Sequence, residues 1–308
     1  MEITPDNLRA LRTQFSGIFR EAYGEEPVFY SKLSTSVPSS TSQNDYGWMA
    51  KSPKMREWLG PRVVQNISAQ TYTLKNRTFE ATIGVKREDI EDDNLGIYSP
   101  LMAEMGAQVK KQPDDLIIHL LQNGHAEECY DGQFFFDTDH PIGDTVPGTQ
   151  QNYWASGKAL SVDNAMAVRA AMMSFKGEGG RPLGVRGSLL VVPPALEHTA
   201  LKIAKGEIGL ETTTSPANLA AGTSNVAKGL FEVMVIPELA GQDTTWYLLD
   251  VTRRVKPFVF QKRRAPAFVS KTNLSDDNVF YQNEFHFGAD ARNNAGYALW
   301  FLAAKAAA

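Results

Sequence analysis

The chain has 308 residues, and its 31 lysines and arginines against 35 aspartates and glutamates give a formal net charge of −4. With 43% hydrophobic and 21% charged residues, it is neither a disordered chain nor a collagen-like fibre nor a coiled coil. The charge is too small to indicate a nucleic-acid partner. The single cysteine, Cys129, excludes a disulfide within the chain, and no apolar run reaches the roughly 18 residues of a membrane span. We therefore expect a globular chain that folds without metal, cofactor or membrane.

The first predicted element is an amphipathic helix at the N-terminus. Thr4 can cap it, and Pro5 suits the first helical position. Its apolar residues recur at helical spacing: Leu8, Leu11, Phe15, Ile18 and Phe19. This stripe must pack on the body of the chain or on a neighbour.

The next segment, 31–44, is mostly polar, and we predict an extended linker there because it has too few apolar residues for a core. A loop broken by glycines and prolines follows. It carries large apolar residues: Tyr46, Trp48, Met55, Trp58 and Leu59. Such residues in a loop favour a surface that contacts another molecule.

Residues 62–86 are predicted to form a β-hairpin, because apolar residues alternate on both sides of a turn at 75–77. A run of acids comes directly after it: Glu88, Asp89, Glu91, Asp92 and Asp93. A run of this kind is either solvated or faces a basic partner.

Residues 99–122 have the pattern of a long helix. Pro113 lies inside that pattern, so we expect a kink or a break near Lys111 and Gln112. Gly124 is a suitable stop. An irregular loop is expected over 130–148.

The second half is predicted to mix helices and strands. Ser161 can cap a helix that ends near Gly177, and a second helix starts at Pro193 and Pro194. A loop is expected over 206–229. Strands are predicted at 188–192, 231–236, 246–249, 255–261, 279–287 and 297–302. The whole is an α+β chain without internal repeats.

One cluster is a candidate metal site. Asp137, Asp139 and His140 offer two carboxylates and an imidazole, which makes a metal-dependent hydrolase the enzymatic alternative. The same residue types also cap their own backbone in a turn, and without a second ligand cluster we favour that structural role. Cys129 is predicted to be inert, because the two glutamates that precede it disfavour a thiolate.

A basic run near the C-terminus has three interpretations. It consists of Arg253, Arg254, Lys256, Lys262, Arg263 and Arg264. These residues either pair with the acidic run of another copy or guard strand edges by charge. Direct contact with phosphate ranks third.

The sequence holds no convincing catalytic set. It does hold a terminal helix, a polar arm and an aromatic loop, none of which is stable alone. These features favour a subunit of an assembly over an enzyme.

Several long strings resemble the major head subunit of Mu-like phages and prophages, the gpT family. They are MREWLGPR at 55–62, YTLKNRTFEATIGVKREDIEDDNLGIY at 72–98, YDGQFFFDTDHP at 130–141, VPSSTSQNDYGW at 37–48 and LLVVPPALEHTAL at 189–201. The resemblance runs through nearly all of the chain.

The resemblance implies the coat-protein fold of tailed phages, the Hong Kong 97 type, in which a long spine helix crosses the peripheral domain. The implied division is an N-terminal arm at 1–45, an extended hairpin loop at 46–92, a peripheral domain at 93–155 and 251–308, and an axial domain at 156–250. The implied function is structural: copies form hexamers and pentamers of an icosahedral head that encloses double-stranded DNA without sequence-specific binding. Portal, scaffold and decoration proteins are the further implied partners.

The expected location is the virion, after assembly in the host cytoplasm. A shell that holds enzymes instead of a genome is the alternative within the same fold. We predict that a set of residues contacts neighbouring copies: Trp48, Arg56, Trp58, Leu59, Glu88, Asp89, Glu91, Asp92, Asp93, Arg253, Arg254, Arg263 and Arg264. Glycines are expected to act as soft joints: Gly47, Gly60, Gly84 and Gly96.

Overall fold

The computed structural model describes residues 2–47, 71–142, 147–177, 180–209 and 223–308. The helices in these ranges are α1 (Pro5–Glu25), α2 (Tyr30–Leu33), α3 (Arg87–Glu91), α4 (Tyr98–Asn123), α5 (Val162–Ser174), α6 (Glu197–Lys205) and α7 (Asp277–Gln282). The strands are β1 (Ser34–Pro38), β2 (Gln43–Gly47), β3 (Thr71–Lys75), β4 (Arg77–Lys86), β5 (His140–Pro141), β6 (Thr149–Gln150), β7 (Tyr153–Trp154), β8 (Leu189–Val192), β9 (Ile208–Gly209), β10 (Thr223–Ser224), β11 (Glu232–Val235), β12 (Thr245–Leu249), β13 (Phe258–Lys271), β14 (Glu284–Tyr297) and β15 (Ala303–Ala307). The chain is α+β, as the sequence predicts.

A four-stranded sheet with the order β1-β13-β14-β4 forms one part of the molecule. Its two central strands, β13 and β14, are 14 residues each and run antiparallel, with α7 at the turn between them. β1 is parallel to the start of β13, and β4 is antiparallel to most of β14. Segments from both ends of the sequence therefore build this sheet together.

Helix α1 packs on α4 and on this sheet. Thr4 caps α1 by accepting a hydrogen bond from the backbone N–H of Asn7, as its sequence position predicts. Four residues of the predicted stripe, Leu8, Leu11, Phe15 and Phe19, are buried in one core, and the fifth, Ile18, is partly buried against it. The sheet and α4 complete this core with Val85, Met102, Met105, Phe285 and Phe287. The stripe therefore packs on the body of its own chain.

Helix α4 runs unbroken through Pro113, so of the expected kink or break the break is wrong, and the kink stays a prediction. A proline inside a helix removes one hydrogen bond and crowds the carbonyl four residues earlier, and packing on both sides of Pro113 offsets this cost. Met102 and Met105 lie in the core under α1, whereas Ile117 and Leu121 lie in a second core. Gly124 is the C-cap, as predicted. One continuous helix thus joins both cores.

The second core lies around a five-stranded sheet with the order β11-β8-β12-β15-β7. Helices α5 and α6 pack against it, and Ser161 caps α5 through the backbone N–H of Asn164, as predicted. β8, β11 and β12 match predicted strands. Two other strand predictions are partly wrong, because 279–282 belongs to α7 and Trp300–Leu302 is a 3₁₀ turn before β15.

The predicted hairpin at 62–86 is wrong in its described part. β3 pairs with β2, and β4 pairs with β14. Only Asn76 separates β3 from β4, whereas the commonest tight hairpin connection has two residues. The predicted linker at 31–44 is also wrong, because it contains β1 and the start of β2. Residues 48–70 therefore connect two strands, β2 and β3, that pair antiparallel.

The division into arm, loop, peripheral and axial domains stays a prediction. β15 lies in the predicted peripheral domain at 251–308, but it pairs with β12, which the prediction assigns to the axial domain at 156–250. Among the described residues, no helix combines the length and apolarity that crossing a bilayer requires.

Candidate subunit interface

The acidic run lies at one end of the four-stranded sheet. Arg87, the first residue of α3, donates its backbone N–H to the carbonyl of Asn283, at 3.0 Å, so α3 adjoins the end of α7. Asp276 and Asp277 are at the start of α7. Helices α3 and α7 thus bring two acidic segments, remote in sequence, to the same end of the sheet.

Part of the acidic run is already bound within the chain. Asp89 accepts a hydrogen bond from the hydroxyl of Tyr98 at 2.6 Å. Burial, and then this bond to Asp89, raise the pKa of Tyr98 above its ordinary value. Glu91 forms an ion pair with Arg87 at 2.9 Å. The Asp89 bond fixes α3 to α4, and the Glu91 pair lies within α3 itself. Two of the five predicted acids therefore already have partners within the chain.

The remaining acids face solvent. Glu88, Asp92 and Asp93 are exposed, and Asp93 sits at a φ of 60° just after α3. Together with Asp276 and Asp277 they form a surface that we call the acidic end. Clustered exposed acids of one sign repel each other weakly, and a basic surface relieves that repulsion.

The basic run is divided in a similar way. Arg253 lies 3.4 Å from a carboxylate oxygen of Asp250 and donates to the carbonyl of Leu183 at 2.7 Å. Arg264 pairs with Asp290 across the β13–β14 ladder. These two arginines therefore have partners within the chain.

Arg254, Lys262 and Arg263 are exposed and form no ion pair with another described residue. We call them the arginine end. Arg263 lies at a register shift between Lys262 and Arg264, a bulge that turns its side chain outward. These three residues are the exposed part of the basic run that has no ion pair among the described residues, and a partner could bind them.

The two charged surfaces lie far apart on the same sheet. Glu284, beside the acidic end, pairs with Lys86, whereas Arg292 pairs with Arg264, beside the arginine end. Glu284 and Arg292 are eight residues apart on β14, which corresponds to roughly 27 Å along the strand. The two surfaces therefore cannot meet within one copy.

The margin of β13 beside the arginine end is an open sheet edge. β1 covers β13 only as far as Lys262, and beyond it no strand in the described ranges pairs with that side. Two register shifts and Pro266 interrupt this edge. Charge, bulges and proline are the devices that keep a strand edge from pairing at random, which agrees with the edge-guarding interpretation.

Four residues of the predicted interface lie outside the described residues, so their contacts stay predictions. They are Trp48, Arg56, Trp58 and Leu59.

The candidate metal cluster does not form. Asp137 uses its carboxylate to accept the backbone N–H groups of Phe134 and Thr138, at 3.2 and 2.7 Å, and Asp139 is exposed. His140 is buried and points its Nδ1 to Asp131 instead, at 2.8 Å. The turn-capping role is the one that the geometry supports.

Cys129 joins His140 and Asp131 in a buried group. Its thiol donates to Asp131 at 3.0 Å, and the three donor atoms lie within 4.8 Å of one another. Burial, followed by the charge of Asp131, raises the pKa of the Cys129 thiol well above its usual range. The predicted direction is right, but its main cause is burial rather than the preceding glutamates. The His140 ring stacks on Trp300 with centroids 3.9 Å apart, so this group adjoins the second core.

Sequence reasoning missed one surface feature. Phe280 and Tyr281 are the most exposed aromatic residues in the described ranges, whereas the sequence predicted only a strand over 279–287. Asp276 at the N-cap position with Asp277 in the first turn was a usable signal for the start of a helix.

The fold matches known shell proteins over the length of the chain. A subunit of the bacteriophage JBD30 procapsid has a TM-score of 0.61 and 34% identity, and the match covers 99% of this chain and 76% of that one. A subunit of a JBD30 capsid decorated with minor capsid protein trimers has a TM-score of 0.53 and 34% identity, over 68% of this chain and 89% of that one. The fold thus defines a subunit of the tailed-phage coat-protein class.

Sequence comparison identifies the family. The family of the Mu-like prophage major head subunit gpT matches residues 8–153, 146–239 and 237–308. The major capsid protein of Escherichia phage Mu is 35% identical over 303 residues, which cover 98% of this chain and 74% of that protein. The Mu-like prophage FluMu major head subunit of Haemophilus influenzae is 29% identical over 301 residues, 98% of this chain and 73% of that protein. The chain belongs to the gpT family of major head subunits.

Family membership confirms the main sequence predictions. The chain is a structural shell subunit of a phage head, with the coat-protein fold that the resemblance implies. Because the family consists of structural head proteins, the enzymatic alternative at Asp137 and His140 is not supported. The alternative of a shell that holds enzymes is also not supported.

Proposed function

We propose that copies of this chain form hexamers and pentamers, and that these capsomers tile an icosahedral head that encloses double-stranded DNA. The similarity to a procapsid subunit over 99% of the chain carries this proposal, because it leaves almost no part of the chain for another task. Closing rings and then a shell requires heterologous contacts, in which one surface of a copy binds a different surface of the next.

The charges of the sheet support such a head-to-tail contact. The acidic end, with Glu88, Asp92 and Asp93, lies far along the sheet from the arginine end, with Arg254 and Arg263. Contact between the acidic end of one copy and the arginine end of the next pairs both surfaces. An exposed ion pair contributes only about 0–1 kcal/mol, but a shell repeats it in every copy.

Further partners follow from the same role. The JBD30 capsid that this chain resembles is decorated with minor capsid protein trimers, and we infer a decoration protein here, together with a portal and a scaffold. Enclosed DNA needs no sequence-specific contact, and a chain with a net charge of −4 suits an inner wall that holds DNA weakly. We place assembly in the cytoplasm of the bacterial host and infer that residues around Trp58 are buried by a neighbouring copy.

Small differences in angle between hexamers and pentamers must be absorbed by parts of the chain. A methyl group at Gly47 or at Gly96 would have no neighbouring atom within 4 Å, and neither glycine has a positive φ. Alanine at these two positions therefore fits the folded subunit. A change of shell size on substitution would report on joint flexibility rather than on misfolding.

The test is assembly of the full chain, expressed alone and together with the neighbouring head genes, measured by negative-stain electron microscopy and light scattering. We expect closed shells, tubes or capsomer rings. A monomer under both conditions would contradict the proposal.

The charge contact has its own test. Reversal of Asp92 and Asp93 to lysine, or of Arg254 and Arg263 to glutamate, is expected to reduce assembly and to make it more sensitive to salt. The combination of both reversals is the matched control, since it restores opposite charges and should restore assembly. Equal assembly of all three variants at low and high salt would contradict the contact.

A further inference from the structure

Two aromatic side chains project from the acidic end. Phe280 is 80% exposed and Tyr281 is 78% exposed. Their rings meet edge to face with centroids 5.0 Å apart. No other aromatic residue in the described part of the chain is as exposed, so this pair is the strongest apolar feature of the described surface.

The pair is held rigidly. Val279, the preceding residue of α7, is buried in the core under α1. Asn278 donates its side-chain amide to the carbonyls of Lys271 and Glu284, at 3.3 and 2.7 Å, and so ties α7 to both strands of the hairpin. Because successive helical residues turn by about 100°, anchoring 278 and 279 directs 280 and 281 outward. Their exposure is therefore built into α7.

The surroundings of the pair define the chemistry of its partner. Asp276 and Asp277 precede it on the same segment, and α3 adjoins the end of α7. Aromatic residues enclosed by a charged rim are typical of protein interfaces. A planar guanidinium can both stack on an aromatic ring and pair with a carboxylate. The matching surface is thus one that offers arginine beside apolar atoms.

Another copy of the chain offers that surface. Arg263 is exposed at a bulge, and the open edge of β13 beside it carries the exposed Ala265, Ala267 and Val269. We propose that Phe280 and Tyr281 of one copy dock on the Arg263 margin of β13 in a second copy. This inference rests on the proposed function, since it supplies the apolar centre of the same head-to-tail contact.

The first test removes the aromatic rings. Phe280→Ser with Tyr281→Ser should leave the circular dichroism spectrum of the subunit unchanged, because both side chains are exposed. We expect the concentration needed for assembly to rise at least tenfold. Val226→Ser is the matched control, since Val226 is 71% exposed and lies in the part of the chain around the other sheet.

The second test asks whether the two surfaces touch. Tyr281→Cys and Arg263→Cys chains are mixed during assembly, and the shells are treated with a short bis-maleimide crosslinker. The native Cys129 is buried, so the introduced thiols are the reactive ones. We expect covalent dimers that require both variants, and few when Val226→Cys replaces Tyr281→Cys.

The outcomes separate this inference from the proposed function. The docking contact alone is overturned if the wild type forms shells, the mixed cysteine variants give no specific dimer and the double serine variant assembles normally. The aromatic pair would then be left for another protein. Absence of any wild-type assembly, alone or with the head genes, would overturn the proposed function and the docking contact with it.

Discussion

Gly106 sets how closely α1 and α4 approach each other. A methyl group at Gly106 would lie 2.5 Å from the carbonyl oxygen of Phe19, 3.2 Å from the backbone nitrogen of Tyr23 and 3.3 Å from the Cβ atom of Ala22. The nearest atom belongs to the backbone of α1 and cannot rotate away. Gly106→Ala therefore requires α1 to move off α4.

Two opposing effects decide the size of the change. Alanine is favoured over glycine in a helix by about 1 kcal/mol. Ordinary contact starts near 3.4 Å, so α1 must shift by about 0.9 Å, and overpacking of this kind costs typically 1–3 kcal/mol. Because the obstacle is backbone, we expect the clash to dominate. Gly106→Ala should lower the free energy of unfolding by up to about 2 kcal/mol.

Gly17, on the exposed side of α1, is the matched control. A methyl group there has no neighbour within 4 Å, so Gly17→Ala keeps only the helix-propensity gain and should raise the free energy of unfolding by up to about 1 kcal/mol. Urea unfolding of dissociated subunits, followed by circular dichroism, measures both variants. The comparison holds when the dependence of the unfolding free energy on urea concentration, the m value, is the same for each. A stabilising Gly106→Ala would refute the close approach of α1 and α4.

Three further predictions concern buried polar groups. The side chain of Asn152 bonds four backbone groups, including the carbonyls of Trp300 and Ala303, so Asn152→Ala should lower the unfolding free energy by about 3 kcal/mol or more, as read by thermal unfolding. Burial lowers the pKa of Lys305 to about 8 from 10.5. At a pH between these two values the unfolded chain binds more protons than the folded chain, so the unfolding free energy should rise with pH across that window. Lys305→Met should abolish that rise in urea titrations. Burial raises the pKa of Asp114 to about 6 from 3.8, so stability should fall as pH rises through that range, and an unchanged slope in Asp114→Asn would contradict this assignment.

Local signals explain the parts of the fold that the sequence predicts well. The N-caps of α1 and α5 depend on Thr4 and Ser161, whose hydroxyls bond residues three positions later. The spacing of the apolar residues of α1 and the apolar run of β8 are also contained in short windows. Elements that need no distant partner are therefore predicted correctly.

Elements whose identity depends on distant partners are not predicted correctly from the sequence. β3 and β4 have the alternation of a hairpin, but their partners are β2 and β14. Pairing partners are set by the whole sheet, which alternation alone does not reveal. In the same way, α7 lies at the turn of a long hairpin, where closing β13 onto β14 decides its conformation.

The candidate interface is predictable only as a list of charges. The sequence indicates acidic and basic runs, but their places at opposite ends of one sheet depend on the register of β14. That Arg253 and Arg264 are already paired depends on Asp250 and Asp290, one of which lies on a neighbouring strand. Contact between copies stays a prediction that the assembly experiments address.

The pairing of β1 with β13 has a consequence for synthesis of the chain. Thr35 accepts a hydrogen bond from Lys256, a residue 221 positions later. At roughly 5–20 residues per second, the ribosome needs about 11–44 s to cover that distance. Helix α1 and strand β1 must wait through this interval without their sheet. A chain that is released early lacks β14, so it cannot join β4 to β13 and cannot offer the finished sheet to a growing shell. The four-stranded sheet is therefore complete only after the strands late in the chain have been synthesised.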